Sequence, residues 1–423
     1  MRKRRMLDLG RRLLLAALFV SALLLLRQTG YYAGIRSRLE RSRSERADRG
    51  VTAQAELPRS VEAVTPLAIT VCGTESGGRY GTAYEAETAA VFRRFSVDLG
   101  EALGSAGTPA ECAEEGFRAC LDRCSVAMQF AFPIRLELLS GWLGVEMSST
   151  AAEHAARLLC LSASESDALL CYRTEDGTCY ACSTAVSAEG FRSRAAEYAP
   201  NGAIYEYESE RLKADGYSLL LPAPPTAAVL KSAVPLLRET ETDSVMTAMG
   251  MNSFLSSSYT ESDGTVVFVN DETTLRISPN GVVFFRRTGL PDSAAEDTVT
   301  AAASRAWSTA ELCAGPHAGD GALRLTGVEY NASQHSHTVL LDYVVEGIPV
   351  RLASGHAAEL VVRAGKVIQA QLQLRQFTAA AERTEMLPCL QAAAIAADAQ
   401  GRPGLIYADA GDATECMWVV MDG

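Results

Sequence analysis

The residues with the most chemistry to offer are eleven cysteines and five histidines in a chain of 423 residues. Cys179 and Cys182 form a C-x-x-C pair, which is a redox motif when a helix N-terminus lowers the thiol pKa. Here the flanking Thr178 to Thr184 follows an Asp176-Gly177 turn and alternates like a strand. An offset of three along a strand sends side chains to opposite faces, so these thiols are expected to be small core residues. Cys120 and Cys124 lie four apart on an expected helix, with Cys112 two turns earlier, and would line one face. No nearby histidine offers zinc a fourth ligand, and all three are expected to be buried apolar positions. His335 and His337 are the only close histidine pair, and would share a face if a strand began there. Two ligands do not make a metal site. Nor is there a G-x-S-x-G, an S-x-x-K ahead of any of the four lysines, or an H-E-x-x-H. Gly73 to Gly81 is glycine-rich after an expected strand, but no lysine follows its glycines as a phosphate loop requires. The sequence therefore predicts no catalytic residue, no cofactor and no metal, and a role in binding rather than catalysis.

Charge and hydropathy organise the chain more clearly than chemistry does. Residues 1 to 49 hold 13 Lys and Arg against 4 Asp and Glu, so they carry +9 of a net charge of −12 and leave −21 on the rest. An acidic bulk of that size argues against nucleic acid and against lying flat on anionic lipid. Arg2 to Arg12 precede an uncharged apolar run from Leu13 to Leu26. No A-x-A-like cleavage site follows it and no cysteine stands ready for lipid attachment, so an uncleaved anchor over 13–35 is expected, with Tyr31 and Tyr32 at the interface. Six basic residues precede the run and seven follow from Arg27 to Arg49; the tight cluster at the extreme N-terminus favours a cytoplasmic tail over 1–12. Residues 36–60 then read as a charged juxtamembrane stalk, and the acidic mass lies outside the cytoplasm. Within the run, Ala17 and Ser21 fall four apart on one helix face, flanked by Ala16 and Ala22. Small residues so placed let helices approach closely in lipid, which makes this seam a candidate contact with a membrane partner.

The remainder reads as α+β, in two parts. The first, 61–222, holds a strand at Leu67 to Val71, helices at about 84–104 and 108–123, an apolar strand-like stretch from Val126 to Leu139, a helix from Ala151 to Leu161, and a hairpin of Asp167 to Arg173 with Thr178 to Thr184. A helix at about 187–198 and a strand at about 203–208 complete it. Pro222-Ala223-Pro224-Pro225 reads as a linker to the second part, 226–423. There the helix Ser293 to Cys313 separates two sets of expected antiparallel strands, giving sheet units of about 226–291 and 292–423. The turns Asn280-Gly281 and Gly365-Lys366 recur in corresponding positions and suggest a duplicated helix-plus-sheet unit. A helix from Leu387 to Ala397 and strands near 404–408 and 415–421 close the chain.

Several segments, in order, resemble the YycH/YycI family: Met251-Asn252 and Tyr259 with the hairpin Asp263 to Val269; Leu275-Arg276-Ile277 with Gly281 to Phe285; Tyr343 to Val350, carrying Glu346-Gly347-Ile348-Pro349; Ala358 to Val362; and the ending Cys416-Met417-Trp418-Val419-Val420. These are single-pass accessory proteins of Gram-positive bacteria that adjust the WalK cell-wall sensor kinase. The resemblance covers residues 226–423 best and implies a PepSY-like sheet architecture, no catalytic residue, and partnership with a sensor histidine kinase through both the membrane helix and the ectodomain, with a second YycH/YycI-like protein as a further partner. The cysteine load is high for that family. Similar sheets would also suit a PepSY-type extracellular inhibitor or binding module for an envelope peptidase or wall component.

Overall fold

The computed structural model describes residues 59–73, 78–212, 216–288, 297–411 and 414–421. The expected anchor, with Ala16, Ala17, Ser21 and Ala22, and the stalk up to residue 58 fall outside the described residues. Among the described residues no helix is long and apolar enough to cross a membrane. The described part belongs to one compact unit, Leu57–Gly423.

Two large sheets dominate this α+β unit. The first has seven strands, β1 (Ala68–Cys72), β2 (Tyr80–Ala83), β3 (Ala110–Cys112), β4 (Ser125–Arg135), β5 (Ala155–Ala163), β6 (Asp167–Thr174) and β7 (Cys179–Ser187), in the order β2-β1-β4-β5-β6-β7-β3. Every neighbouring pair is antiparallel. Helix α1 (Ala86–Ser105) lies across one face and buries Phe92, Phe95, Leu99 and Leu103. Helix α2 (Glu114–Asp122) covers the other with Phe117, Cys120 and Leu121. A sheet covered on both faces has no alternation to display, which is why β5 reads ambiguously in sequence. Residues Ala151 to Leu161, rich in Ala and Leu, were expected as helix and instead form a short 3-10 turn, Thr150–Glu153, followed by β5. Burial between β4 and β6 overrides the modest helix propensity of those residues. Likewise Val126 to Leu139 is not one strand, because β4 ends at Arg135 and the chain turns directly into α3 (Leu136–Trp142). Helix α4 (Ala188–Ala195) follows β7, and a small pair, β8 (Ile204–Tyr205) with β9 (Leu219–Leu220), ends this region.

After Pro222 to Pro225 the chain enters β10 (Thr226–Ala233) and α5 (Glu239–Ala248), neither of which was expected from the sequence. The second sheet has eleven strands. Its path runs β11 (Ser257–Thr260), β12 (Val266–Val269), β13 (Thr273–Ile277), β14 (Val282–Arg287), then β19 (Lys366–Gln373), β18 (Ala358–Arg363), β16 (Ser336–Val345), β17 (Ile348–Leu352), β21 (Arg402–Asp409) and β22 (Thr414–Met421), with β15 (Gly321–Asn331) paired to β16. The two expected strand sets thus join edge to edge through β14 and β19. All pairs are antiparallel except β17 with β21. The stretch from Val367 to Gln376 is not one strand: β19 ends at Gln373, and β20 (Gln376–Glu385) leaves the sheet to pair with β10. Helix α6 (Val299–Ala314), capped by Thr298 Oγ1 accepting from Ala301 N, packs on β16, β18 and β19. Helix α7 (Cys389–Asp398) packs against β21 and β22.

One hydrophobic core runs through both sheets, from Phe92 and Trp142 to Phe285 and Tyr343. Helix α3 meets α6 closely, with Trp142 Nε1 donating to Ser304 Oγ at 2.7 Å and Thr300 Oγ1 donating to the Glu137 carbonyl at 3.2 Å. A Cβ at Gly141 would stand 2.5 Å from Thr300 Cγ2, so only glycine permits this approach. A second junction lies at the β16–β17 turn, where Glu346 and Gly347 both adopt positive φ (50° and 86°) as a two-residue hairpin turn requires. There a Cβ on Gly347 would lie 2.6 Å from the Glu85 nitrogen.

Candidate functional site

Where β15 and β16 of the second sheet face β4 of the first, they enclose a cavity of about 410 Å³. Its position follows from register. In β16, Leu341, Tyr343 and Val345 are buried in the core beneath α6, so the alternate residues Asp342 and Val344 face the other way. β15 sets Arg324 directly opposite Asp342 and Ala322 opposite Val344. A bulge between Leu325 and Gly327 inserts Thr326 into this row, and β-bulges re-aim side chains in this way. Leu67, Phe130, Phe132, Leu352, Leu405 and Ile406 supply apolar walls, and polar residues converge among them, including Arg324, Thr326, Asp342, Arg351 and His356. A mostly apolar hollow with a few converging polar groups is the usual form of a small-molecule site.

The polar groups are held firmly. The Asp342 carboxylate sits 3.0 and 3.1 Å from His356 Nδ1 and accepts from Ala357 N at 3.1 Å. Gln373 pins the same loop, its Nε2 donating to the carbonyls of Ser354 (3.0 Å) and His356 (2.9 Å) while its Oε1 accepts from Ser354 Oγ. The hydrogen bond to Asp342 raises the His356 pKa above its ordinary value, reinforced by the charges of Glu359 and Glu329. Arg324 Nη1 donates to the Thr65 carbonyl at 3.2 Å, and burial pulls its pKa down to about 10, opposed by Glu62. Thr326 Oγ1 is buried without a hydrogen-bond partner. A His–Asp pair is the orienting half of a nucleophilic triad. Among the described residues no hydroxyl or thiol lies within hydrogen-bond distance of the His356 ring.

The residues singled out in the sequence are spread elsewhere. Cys179 faces the α2 side of the first sheet and Cys182 the α1 side, as the strand reading expects. Cys112, Cys120 and Cys124 do not share a helix face: Cys112 is in β3, Cys120 in α2, and Cys124 follows the helix and belongs to the other core. Cys112, Cys120, Cys160, Cys171 and Cys179 gather under α2, none joined by a disulfide. The hydrogen bond between Cys120 and Cys171 lowers the pKa of the Cys120 thiol and raises that of Cys171. His335 lies in the β15–β16 turn at φ 49°, and His337 is buried in β16 with its ring 5.0 Å from Tyr330. The glycine-rich stretch lies partly outside the described residues. Of the cavity's polar residues the sequence reading named none. A single charge interrupting an apolar strand, Asp342 within Val339 to Val345 and Arg324 within Leu323 to Leu325, was the available signal.

No family model and no curated protein matches the chain. Among solved structures, the fold is similar to the crystal structure of YycH from Bacillus subtilis, with a TM-score of 0.56 and 10% sequence identity over 87% of this chain and 96% of that one. The described part of the chain has a YycH-like α+β fold.

Proposed function

We propose that the chain is a membrane-anchored extracytoplasmic protein that binds a WalK-like sensor histidine kinase and modulates its control of cell-wall metabolism, without catalysing a reaction. The observation that carries this reading is the backbone likeness to YycH, which spans 96% of that chain and not a shared subdomain alone. The family-like segments, among them Tyr343 to Val350 and the ending around Trp418, add support from sequence. On this reading residues 13–35 anchor the chain with its N-terminus in the cytoplasm, the parts at 61–222 and 226–423 lie outside, and a second YycH/YycI-like protein joins the kinase as partner. Removing the gene should change the phosphorylation of the kinase's response regulator severalfold, and the tagged full chain should co-purify with the kinase. Leucine at Ala17 and Ser21 together should weaken that co-purification while leaving the ectodomain folded, because bulk at a small-residue seam keeps helices apart. Regulator phosphorylation unchanged by removal of the chain would overturn the proposal.

A further inference from the structure

The geometry points to the cavity between β4 and β15–β16 as a binding site for an anionic amphiphile, with a carboxylate or phosphate head held by Arg324 and Arg351 and an aliphatic tail lying against Leu67, Phe130, Leu352 and Leu405. The inference does not depend on the kinase reading.

The case rests on an imbalance of charge inside an apolar space. A guanidinium carries five N–H donors, and Arg324 stands half-buried among apolar walls, where a charge is normally paired. Arg324 has one protein acceptor among the described residues, the Thr65 carbonyl, and no carboxylate at ion-pair distance. The register places Asp342 opposite it, but the Asp342 carboxylate is committed to His356 and to Ala357 N. Arg351, exposed at the rim, also has no ion pair among the described residues. The buried Thr326 hydroxyl, set into the wall by the bulge, has no partner. Among the residues lining the cavity, two arginines and a histidine thus stand with one carboxylate, Asp342, while Glu62 acts on Arg324 only from beyond ion-pair distance, and a hydroxyl stands beside them. An entering anion supplies the missing countercharge and an acceptor for Thr326.

The tail follows from shape. A hollow of about 410 Å³ lies within the usual range of small-molecule sites, and its apolar walls suit a medium-length aliphatic tail such as that of an eight-carbon acid.

The test is equilibrium binding to the full chain, kept in lipid nanodiscs because of its apolar N-terminal run, with empty discs subtracted. The probes are octanoate and octyl phosphate against octanol and octylamine. Saturable binding of one molecule per chain is expected for at least one anion, with both uncharged octanol and octylamine at least about tenfold weaker, since charge-assisted hydrogen bonds contribute about that factor or more. Arg351→Met, on an exposed residue, should weaken the anion about tenfold and leave octanol unchanged, and Arg324→Met should do the same where it folds. Ala131→Leu, which fills the wall, should weaken both. Equal affinity for octanol would mean a plain apolar hollow; no saturable anion binding, or anion binding indifferent to Arg351→Met and Ala131→Leu, would likewise overturn the assignment.

Discussion

His356 shows how one side chain ties the cavity's rim to pH. Its pKa is raised in the folded chain, chiefly by the Asp342 hydrogen bond, with Glu359 and Glu329 adding to it. The bond joins a loop residue to a strand residue, so it stabilises the loop from Ala353 to Ala357 against β16. A raised folded pKa means that the stabilisation is fully present below the unfolded value near 6.5 and is lost as pH rises through the folded value. Because the ring is partly exposed, with 40% of the side chain accessible, the effect is on the order of a few tenths of a kcal/mol. Urea unfolding at about pH 6 and about pH 8 should show the wild-type chain losing that increment while His356→Gln, which can still donate to Asp342, loses none. Equal pH dependence in the two proteins would mean that the pair is not formed in solution.

At the scale of elements, β7 carries the sharpest consequence of strand geometry. Cys179 and Cys182 are three apart in sequence and belong to different cores, one packed under α2 and the other under α1. Alanine at either position removes one buried sulfur and should cost on the order of 1 kcal/mol. Since the two share no packing partner, the costs should add within about 0.5 kcal/mol in the double variant. Coupling well beyond that, measured by chemical denaturation, would show that the thiols touch and that the C-x-x-C pair is more than packing. The strand's alternation was legible because it is local. In β5 local preference and context disagree: Ala, Leu and Arg are fair helix formers, and only the flanking β4 and β6 make an extended conformation the better way to bury Leu159 and Leu161. Strand β10 was invisible for a related reason, since its partner β20 lies some 150 residues later.

For the whole molecule, a core that runs from Phe92 through Trp142 to Tyr343 couples the two sheets. The contacts that join them include two places where a backbone must come very near, Gly141 against Thr300 and Gly347 against Glu85. Calorimetry of the full chain should therefore show one cooperative transition for the described part. Gly347→Ala should lower that transition as a whole, by about 3 kcal/mol, because alanine there meets both an unfavourable positive φ and the Glu85 backbone. Two separate transitions, with only one moved by Gly347→Ala, would instead mean that the parts at 61–222 and 226–423 fold independently.

The amino-acid sequence by itself determined the α+β class, most strands after Val266, the hairpin of β6 with β7, and the opposite facing of Cys179 and Cys182. Each of these depends on a period of two or on a turn glycine, which are properties of neighbouring residues. Only the tertiary structure decided that the two strand sets form one sheet, that α3 stacks on α6, and that Arg324, Thr326, Asp342 and His356 converge on one cavity. These four come from two strands and a loop, brought together by the β15–β16 register, a bulge and the close packing of β15 on β4. Register and packing are set by pairings between distant segments, and a local pattern holds no record of them.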